Sequence, residues 1–544
     1  MNQADTENAS ADNSGDDLTP EEFVAVTEML ERFAADRGLL TVVDADTRHR
    51  LIKAAGQIAF PGRAARRKMT KALRAQRKIN TDKEKDRDDE LLASTGIRAQ
   101  FRAKGINQAC PSAPFETQLP PAAEITDEDF GPELTDPRNC YICKRDFRRL
   151  HHFYDSLCPD CAQLNWKKRH QTADASGRYS LVTGGRVKIG YQAALKLLRA
   201  GSHVVVTTRF PRDAAKRFLT EKDSGDWQDR LMIYGLDLRH TPSVEALCVH
   251  LNKRLPRLDF ILNNACQTVR RPPGFYGHLM AGERQLTDSL PQEAREMLGG
   301  YEELRSASAS TKALKNQRGG NPLEVANEGS GDLPAEVADS LLGIQRAAEL
   351  SQIPMVKDDH AASQELFPEG EYDHDLQQVD LREVNSWRLK LAEVPTVELL
   401  EVHLVNAVAP FILNARLKPL LLTVPTRDKH IVNVSAMEGI FYRAFKTDKH
   451  PHTNMAKASL NMLTRTSAQD YARDGIHMNS VDTGWITDED PVVHAERKQR
   501  DYDFHPPLDI IDAATRICDP FLDGLLTGEH VWGKFLKDYQ VANW

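Results

Sequence analysis

Residues Arg178-Tyr-Ser-Leu-Val-Thr-Gly-Gly-Arg-Val-Lys-Ile-Gly190 decide the fold of this 544-residue chain. A short apolar strand at Leu181 and Val182 runs into a Thr-Gly turn, and the turn opens a helix with an apolar face. A second strand, His203–Thr208, follows. The order and size of this strand–turn–helix–strand unit predict a dinucleotide site. Glycines let the backbone approach a pyrophosphate, and free N–H groups at the helix N-terminus attract it.

Bulk composition limits the classes of protein to consider. Hydrophobic residues make up 40% of the chain and charged residues 28%, and the formal net charge is −8. This balance suits solubility and argues against a general binder of nucleic acid or membrane surfaces. We find no run of about 18 apolar residues and no secretory signal near the N-terminus, so we expect no membrane span. A cytoplasmic location is predicted, with a nuclear one left open.

The region before the nucleotide unit divides into three segments. Residues 1–16 are predicted to be a disordered acidic tail. Residues 17–105 are predicted to be helical, with a capping box at Leu18-Thr-Pro-Glu-Glu22. Within them, residues 63–78 carry eight Lys or Arg and no acid, which fits a solvated helix face or a contact for an acidic partner, an import receptor or nucleic acid. Residues 106–139, which are rich in proline and polar residues, are predicted to be a linker.

A small cysteine module spans residues 140–161. Two CxxC pairs, separated by 14 residues, predict a tetrahedral Zn²⁺ site. Its ligands would be Cys140, Cys143, Cys158 and Cys161. Because all four positions are thiolates, no coordination site stays open, and the zinc would be structural rather than catalytic. The alternatives are four reduced, unconnected cysteines, or replacement of one cysteine ligand by His151 or His152.

Several later segments extend the dinucleotide pattern in sequence order. They are Leu236-Asp237-Leu238, Leu258-Asp-Phe-Ile-Leu-Asn-Asn-Ala265, Val405-Asn-Ala-Val-Ala-Pro410, His430-Ile-Val-Asn-Val-Ser435, Met455-Ala-Lys457 and Asn479-Ser-Val-Asp-Thr-Gly484. With these landmarks the chain closely resembles the short-chain dehydrogenase/reductase family over residues 174–270 and 395–544. The resemblance implies an α/β fold: a doubly wound, Rossmann-type parallel sheet of seven strands with an NAD(P)(H) site at the strand C-termini.

Residues 271–394 interrupt this pattern and are predicted to be an insertion. Parts of it, including residues 306–310, 318–321 and 327–332, are rich in small and polar residues and are predicted to be flexible loop. Its end, residues 379–390, is amphipathic and enters near the active-site mouth of the family. This end would form a lid or donate Asp380, Arg382 or Trp387, or it would be an outer helix with no role in the site.

The resemblance assigns the cofactor positions residue by residue. They are Thr183, Gly184, Ile189 and Gly190 at the phosphate turn, Asp237 and Leu238 against the adenine, Asn264 and Ala265 at the fourth strand end, Lys457 at the ribose, and Gly484 after the sixth strand. Lys188 stands where the turn normally has its middle glycine. Cys266 and Thr483 likewise replace a glycine and a proline of the family pattern.

The end of the second strand predicts which dinucleotide binds. NAD-selective members of the family carry an acid there, whereas this strand ends Thr207-Thr208-Arg209. Arg186 and Lys188 lie close in sequence. Cationic groups suit a 2′-phosphate, so NADP(H) is predicted in preference to NAD(H).

The proton-transfer positions are only half retained. Asn406 and Lys457 match the family's Asn and Lys, but the Tyr position is Thr453 and the Ser position is Ala436. An alkyl hydroxyl is far too weak an acid to replace a phenol. Ser435 lies one residue early, and neighbouring side chains on a strand point to opposite faces.

Two side chains of residues 440–452 are candidate substitutes for the tyrosine. His452 is the better alternative acid, because histidine transfers protons near neutrality, although it would otherwise be a surface loop residue. Tyr442 is the weaker candidate.

Two functions therefore stay open. One is an NADP(H)-dependent oxidoreductase that acts on a small carbonyl or alcohol substrate with altered proton-transfer groups. The other is a catalytically inactive NADP(H)-binding scaffold or sensor, with the zinc module or the basic helix as a surface for a protein partner. Nucleic-acid binding is disfavoured by the net charge, and a homo-oligomer stays open.

Overall fold

The computed structural model describes most of the chain, which divides into two compact units between Arg87 and Asp88. The described residues are 19–103, 107–108, 130–318, 341–360, 365–373, 376–442, 446–487, 489–502 and 504–544. The predicted tail, residues 1–16, lies outside them, as do most of the predicted linker and the glycine-rich stretch of the insertion.

The first unit is helical. It contains α1 (Pro20–Ala35), α2 (Ala45–Ala59) and most of α3 (Arg63–Ala93). The predicted capping box is present: Glu22 N donates to Thr19 Oγ1 at 3.2 Å, and Thr19 N donates to Glu22 Oε2 at 2.7 Å. No residue of α1 or α2 is buried, and residues 63–78 are all exposed. The exposure of the basic residues of α3 fits both a solvated helix face and a contact for a partner.

The second unit begins with a small layer around the cysteines. Its elements are α4 (Gly96–Ala103), the antiparallel hairpin β2 (Phe130–Asn139) and β3 (Asp146–His151), and α5 (Pro159–His170). A short strand β1 (Asn107–Gln108) pairs with β8 (Glu371–Tyr372) of the insertion. The prediction of a linker was therefore wrong for residues 130–139. Residues 130–139 form strand β2, and Leu134 is buried in one hydrophobic core with Cys140 and Cys158, which the proline and polar content did not reveal.

The main sheet has eight strands in the order β12-β11-β10-β9-β7-β4-β5-β6. Seven are parallel, and the edge strand β12 is antiparallel. The strands are β4 (Tyr179–Thr183), β5 (His203–Thr208), β6 (Leu231–Gly235), β7 (Phe260–Asn263), β9 (Lys429–Ser435), β10 (Ile476–Asp482), β11 (Phe535–Lys537) and β12 (Gln540–Ala542). The predicted Rossmann-type sheet is confirmed. Chain order reverses between β4 and β7, which is where such sheets bind ligands.

Helices cover both faces of this sheet, so its strands are apolar along their length, as in Val204-Val-Val206. The helices are α6 (Lys188–Arg199), α7 (Pro211–Leu219), α8 (Thr241–Arg254), α9 (Pro273–Glu283), α10 (Gln292–Arg318), α11 (Leu342–Gln345), α12 (Thr396–His403), α13 (Ala409–Arg416), α14 (Lys418–Leu421), α15 (Pro451–Arg473), α16 (Val492–Tyr502) and α17 (Ile510–Thr527). A π-helical turn, Leu404–Val408, joins α12 to α13.

The helical run Thr396–Arg416 also has the length and apolar composition of a membrane span, with a mean hydropathy of 1.5. Buried residues make up 44% of this window, and Leu413 packs fully buried in the main core. Core helices pass the same test of length and composition, so this is weak evidence for a membrane span.

The insertion is more regular than predicted. Helix α10 packs against β6 and contributes Met297, Leu298, Tyr301 and Leu304 to the main core. Residues 306–310, predicted as loop, lie inside this helix. Their serines and alanines indicated flexibility, but the apolar face of the preceding three turns fixes the helix on the sheet. The predicted loop at 327–332 lies outside the described residues.

Candidate dinucleotide site and proton-transfer residues

The turn between β4 and α6 leaves no room for side chains at two of its glycines. Gly184 has a φ of +69°, and a Cβ there would lie 2.9 Å from Ala265 Cα. A Cβ on Gly190 would lie 2.3 Å from the Gly184 carbonyl oxygen. Backbone therefore packs directly on backbone, and the N-terminus of α6 is held open toward the cleft above the sheet.

Lys188 keeps the conformation of the glycine that it replaces. Its φ is +54°, in the left-handed region, which costs a residue with a side chain about 1 kcal/mol or more. It opens α6 and lines the cleft beside Arg186. The replacement therefore preserves the shape of the turn while adding a cation beside the helix N-terminus.

The end of β7 is fastened to the turn. Asn264 Nδ2 donates to the Thr183 carbonyl oxygen at 3.0 Å, and Ala265 N donates to Thr183 Oγ1 at 3.0 Å. These bonds join the carboxyl ends of β4 and β7 at the point where chain order reverses. Thr183 and Asn264 thereby fix the floor on which a pyrophosphate would lie.

A cleft of about 690 Å³ opens at the carboxyl ends of the strands. Most of the predicted dinucleotide residues line it: Gly184, Arg186, Lys188, Ile189, Gly190, Arg209, Asp237, Leu238, Asn264 and Ala265. Thr183 lies beneath the floor, and Gly484 lies just before the lining residue Ile486. Among the described residues, none of the predicted catalytic set Asn406, Ser435, His452 and Lys457 lines this cleft.

A cation stands at the end of β5, where its side chain stacks on the insertion. Arg209 Nη2 donates to Tyr276 Oη at 2.7 Å, and the guanidinium lies 4.5 Å from the centre of that ring. Tyr276 comes from α9, which the sequence analysis did not connect with the site. Tyr276 follows Pro273-Gly-Phe275, and this stretch matches no motif that would mark Tyr276 as a residue of the site.

Arg186, predicted to face a phosphate, is instead engaged inside the protein. It is buried and donates to Asp213 Oδ2 at 2.7 Å. Burial opposes ionisation of Asp213, but Arg186 and Arg217 outweigh it and lower the pKa of Asp213 to about 2. The charge of Arg186 is thus compensated, and Arg209 is the better candidate for a 2′-phosphate.

Asp237 also has an internal partner. Arg239 donates to both carboxylate oxygens, at 3.0 Å and 2.7 Å, and to Glu401 Oε1 at 2.6 Å. Burial opposes the charge on Asp237, yet Arg239 lowers the pKa of this carboxyl below its usual value. Arg239, which the sequence analysis missed, therefore orients the residue predicted to lie against the adenine.

The four cysteines come together as predicted. Their sulfur atoms all lie within 4.8 Å of one another, and Cys143 Sγ is 3.6 Å from Cys158 Sγ. Zn–S bonds of about 2.3 Å would place tetrahedral sulfurs about 3.8 Å apart, so the cluster fits a metal ion. Burial opposes the thiolate of Cys143, but a hydrogen bond from Arg145 helps lower its pKa to about 6. Neither His151 nor His152 belongs to this cluster.

We call the positions Asn406, Ser435, Ala436, Thr453 and Lys457 the proton-transfer end. The side chains of its two retained family residues, Asn406 and Lys457, form hydrogen bonds with backbone groups. Asn406, in the π-helical turn, accepts from Gln267 N at 2.8 Å and donates to the Gln267 carbonyl oxygen at 3.2 Å. Lys457 Nζ donates to the Val434 carbonyl oxygen at 2.7 Å and is only 5% exposed. Both therefore support the loop after β7 and the end of β9.

The hydroxyls at this end have no such partners. Ser435 is 2% exposed and Thr453 is 3% exposed, and neither side-chain oxygen has a hydrogen-bond partner in the described structure. Buried polar atoms in native proteins are normally paired with protein groups or ordered water. The proton-transfer end thus holds two buried hydroxyl groups, Ser435 and Thr453, without a protein partner in the described structure.

His452 is buried, so the alternative of a surface loop residue was wrong. It lies in the first turn of α15 and is 1% exposed, with Nε2 3.3 Å from Glu398 Oε1 on α12. Its ring faces the interface between these helices rather than the cleft. Tyr442, the weaker candidate, is 51% exposed.

The end of the insertion covers the loop before α15. Trp387, in the 3₁₀ turn Ser386–Arg388, stacks on His450 with ring centres 3.9 Å apart and planes 6° apart. His450 N donates to the Leu389 carbonyl oxygen at 2.8 Å. Asn385 Nδ2 donates to the Glu489 carbonyl oxygen at 2.9 Å. We call residues 385–390 the covering segment. It joins the loops that follow β9 and β10.

The other candidates at the end of the insertion form an ion cluster. Asp380 accepts from Arg271 and, at 2.7 Å, from Arg382 Nη2. Asp380 and Arg382 both line the cleft, whereas Trp387 does not. Residues 386–388 form a 3₁₀ turn, so the alternative of an outer helix was wrong.

The seven parallel strands, the glycine turn and the cleft at the switch point define a Rossmann-type α/β protein. Comparison with known proteins agrees. The family model for "short chain dehydrogenase" matches residues 178–275, and that for "Enoyl-(Acyl carrier protein) reductase" matches residues 385–502. The chain belongs to the short-chain dehydrogenase/reductase family, a family of oxidoreductases, and the insertion separates its two matched segments.

Individual relatives cover different shares of the chain. Uncharacterized protein R665 of Acanthamoeba polyphaga mimivirus is 29% identical over 418 residues, which are 74% of this chain and 75% of that protein. (+)-Neomenthol dehydrogenase of Capsicum annuum is 29% identical over 116 residues, 21% of this chain and 34% of that enzyme. A short-chain dehydrogenase from Burkholderia cenocepacia J2315, solved with NADP, is 14% identical, with a TM-score of 0.38 over 67% of this chain and 97% of that one.

Proposed function

We propose that this protein is an NADP(H)-dependent oxidoreductase that acts on the carbonyl or hydroxyl group of a small molecule. The observation that carries the choice of cofactor is Arg209 at the end of β5, where NAD-selective members of the family have an acid. Its guanidinium is held at the cleft by the 2.7 Å bond to Tyr276. A cation fixed in this way would bind a 2′-phosphate.

The residues of the cleft suit the remaining parts of such a cofactor. The Gly184–Gly190 turn and the N-terminus of α6 would bind the pyrophosphate through backbone N–H groups. Asn264 holds that turn in place, and Lys457 would reach the ribose from α15. When bound, the dinucleotide supplies or accepts the hydride, which leaves the protein to orient the substrate and to move one proton.

The proton would come from a group other than the family's tyrosine. Thr453 is too weak an acid, whereas a histidine beside a carboxylate can carry a proton near neutrality. His452 Nε2 lies 3.3 Å from Glu398 Oε1, and contact with His452 lowers the pKa of that carboxyl although burial opposes its charge. We assign His452, which adjoins the family's tyrosine position at Thr453, as the proton source.

The choice of cofactor is tested by titrating the protein with NADPH and NADH while following nicotinamide fluorescence. We expect NADPH to bind about 10- to 100-fold more tightly, the range of a charged hydrogen bond, and Arg209→Ala to lose most of that gap. Arg199→Ala is the matched control, because Arg199 lies at the end of α6 away from the cleft, where it pairs with Asp223. Equal affinity of the wild-type protein for both dinucleotides would refute NADP(H) selectivity.

We further propose that the cysteine cluster holds one structural zinc ion, which implies a reducing compartment such as the cytoplasm. The sulfur atoms, all within 4.8 Å of one another, support this assignment. Metal analysis of protein purified without chelators should give about one zinc per chain, and Cys143→Ser should lose most of it. Cys248→Ser, a buried cysteine outside the cluster, should keep it. A wild-type protein without zinc would end this proposal.

A second function, an inactive NADP(H)-binding scaffold or sensor, is favoured by Thr453, Ala436 and the covering segment. NADPH consumption with a panel of aldehydes and ketones separates the two functions. An active enzyme should lose at least 100-fold of its turnover in His452→Ala while keeping its affinity for NADPH. Absence of turnover on every carbonyl, with NADPH still bound, would establish the scaffold instead.

A further inference from the structure

The cysteine module and one wall of the cleft share a hydrophobic core. This core contains Cys140 and Cys158 together with Ile486, Leu508 and Ile510, of which Ile486 and Ile510 line the cleft. We propose that metal bound by the four cysteines holds this wall in place, so that metal and dinucleotide stabilise each other's binding. The proposal rests on dinucleotide binding in the cleft, as proposed above.

The most direct link runs from the first cysteine pair to the loop after β10. Tyr141, between Cys140 and Cys143, accepts a hydrogen bond from Trp485 N at 3.0 Å through its hydroxyl. Trp485 follows Gly484, the family residue predicted to contact the cofactor, and precedes Ile486. A movement of the cysteine turn therefore removes the partner of a backbone N–H in the wall of the cleft.

A second link fixes the start of α17. Arg169, at the end of α5, donates twice to Asp509 at 2.8 Å and once to Asp512 at 3.0 Å. Asp509 and Asp512 form the capping box of α17, which begins at the lining residue Ile510. Because all three charged groups are buried, breaking these contacts would leave unpaired charges in the core, which is strongly unfavourable. Helix α5 itself begins beside Cys158.

A third link reaches the cleft through a buried carboxylate. Asp155, in the loop between the two cysteine pairs, accepts from Arg98 Nε at 2.7 Å and lies 3.0 Å from His505 Nε2. His505 lines the cleft. Three separate polar contacts thus connect the module to one wall, on both sides of α16.

These contacts depend on the metal because the module is too small to keep its shape alone. Roughly 20 residues cannot bury enough apolar surface, so the free energy of metal binding becomes folding free energy for such a segment. If the ordered module also supports the wall, the coupling is reciprocal: each ligand raises the affinity for the other by the same factor. Couplings between two sites in proteins are typically about 5- to 150-fold.

The experiment measures zinc affinity of the full chain by competition with a chromogenic chelator, with and without saturating NADPH. We expect NADPH to tighten zinc binding at least fivefold, and metal-depleted protein to bind NADPH more weakly by the same factor. If metal depletion unfolds the module, the competition in the presence of NADPH still reports the coupling, because it starts from the loaded protein.

Two tyrosine variants identify the path. Tyr141→Phe, loaded with zinc, should reduce the coupling several-fold by removing the acceptor for Trp485 N. Tyr301→Phe removes another buried hydroxyl bond, to the Ile344 carbonyl oxygen, and should leave the coupling unchanged. Zinc affinity that is the same with and without bound NADPH would overturn the proposal while leaving the dinucleotide site intact. Failure of NADPH to bind at all would remove the proposed function itself.

Discussion

The two ends of the site differ in how much of the family's pattern they keep: the dinucleotide end lines the cleft, whereas the proton-transfer end lies outside it. At the dinucleotide end, the glycine turn, Asn264 and Ala265 keep their geometry, and even Lys188 retains the left-handed backbone of a glycine. At the proton-transfer end, only Asn406 and Lys457 remain, their side chains bond to the backbone, and the covering segment lies over the loop before α15. The dinucleotide end therefore keeps the family's pattern more completely than the proton-transfer end does.

This difference separates two requirements that the family normally combines. At the dinucleotide end, backbone packs directly on backbone at Gly184 and Gly190, so this end does not tolerate added side chains there. The proton-transfer end needs only one acid of suitable pKa near the substrate, which several residue types can supply. The first end should therefore be fragile toward single substitutions, and substitutions at the second should lower dinucleotide affinity less.

The largest effect is expected at Gly190. In Gly190→Ala the new Cβ would lie 2.3 Å from the Gly184 carbonyl oxygen and 2.4 Å from Asn264 Nδ2, so the turn must move. We expect NADPH affinity to fall by about 100-fold or more, since the loss of the backbone contacts to a pyrophosphate exceeds about 3 kcal/mol. The measurement is a fluorescence titration with NADPH.

A matched variant shows whether the turn is responsible. Gly299→Ala lies on α10, where an added Cβ meets nothing within 4 Å. It should leave NADPH affinity unchanged and should stabilise the helix by about 0.5–1 kcal/mol. Equal losses of NADPH affinity in both variants would show that the dinucleotide end is no more constrained than an exposed helix.

A smaller effect is expected at Lys457, where the two ends meet. In Lys457→Met the Val434 carbonyl oxygen loses its donor, and a bound ribose would lose the cation that we propose for it. NADPH affinity should fall about 10-fold, the value of one charged hydrogen bond. Turnover, where a substrate is found, should fall further. Unchanged affinity would indicate that Lys457 only supports the end of β9.

The covering segment should affect stability more than dinucleotide affinity. Trp387→Ala removes the ring that stacks on His450, and we expect a loss of about 1–2 kcal/mol in unfolding free energy. NADPH affinity should change less than twofold, because Trp387 does not line the cleft. Leu391→Ala, at a 75% exposed position, is the control for both measurements. A large change in NADPH affinity would mean that the two ends are not independent.

The sequence was sufficient for the regular part of the fold. Buried strands such as Val204-Val-Val206 and the turn at Gly184 predict a parallel sheet with its switch point, because their patterns are local. The cysteine spacing predicts the sulfur cluster for the same reason: each CxxC pair forms within one turn. The NADP(H) selectivity and the zinc ion themselves stay predictions.

Contacts made by the insertion could not be predicted in this way. Tyr276 reaches Arg209 from 67 residues away along the chain, and the carboxylates of Glu401 and Asp237 meet on Arg239 from opposite sides of the insertion. No periodicity encodes which distant side chain fills such a position. Composition also misled over residues 306–310, because small polar residues are compatible with a helix when an adjacent apolar face packs.

The smallest expected effect concerns the dinucleotide end and its response to pH. His278 of α9 lines a second cavity beside Arg186, and neither of its ring nitrogens has a hydrogen-bond partner in the described structure. Burial, helped by the nearby charge of Arg186, lowers the pKa of His278 to about 4. Between about pH 6.5 and pH 4 the unfolded chain would therefore bind a proton that the folded chain excludes, and stability would fall as the pH falls.

His278→Phe keeps the ring that packs against Tyr372 but removes the titrating group. From pH 7 to pH 5 the wild-type protein should lose on the order of 1 kcal/mol more unfolding free energy than the variant, allowing for partial solvent screening. Unfolding curves at both pH values give this difference directly. Parallel losses in the two proteins would mean that His278 takes up a proton in the folded state, and that the cations around the turn do not reach it.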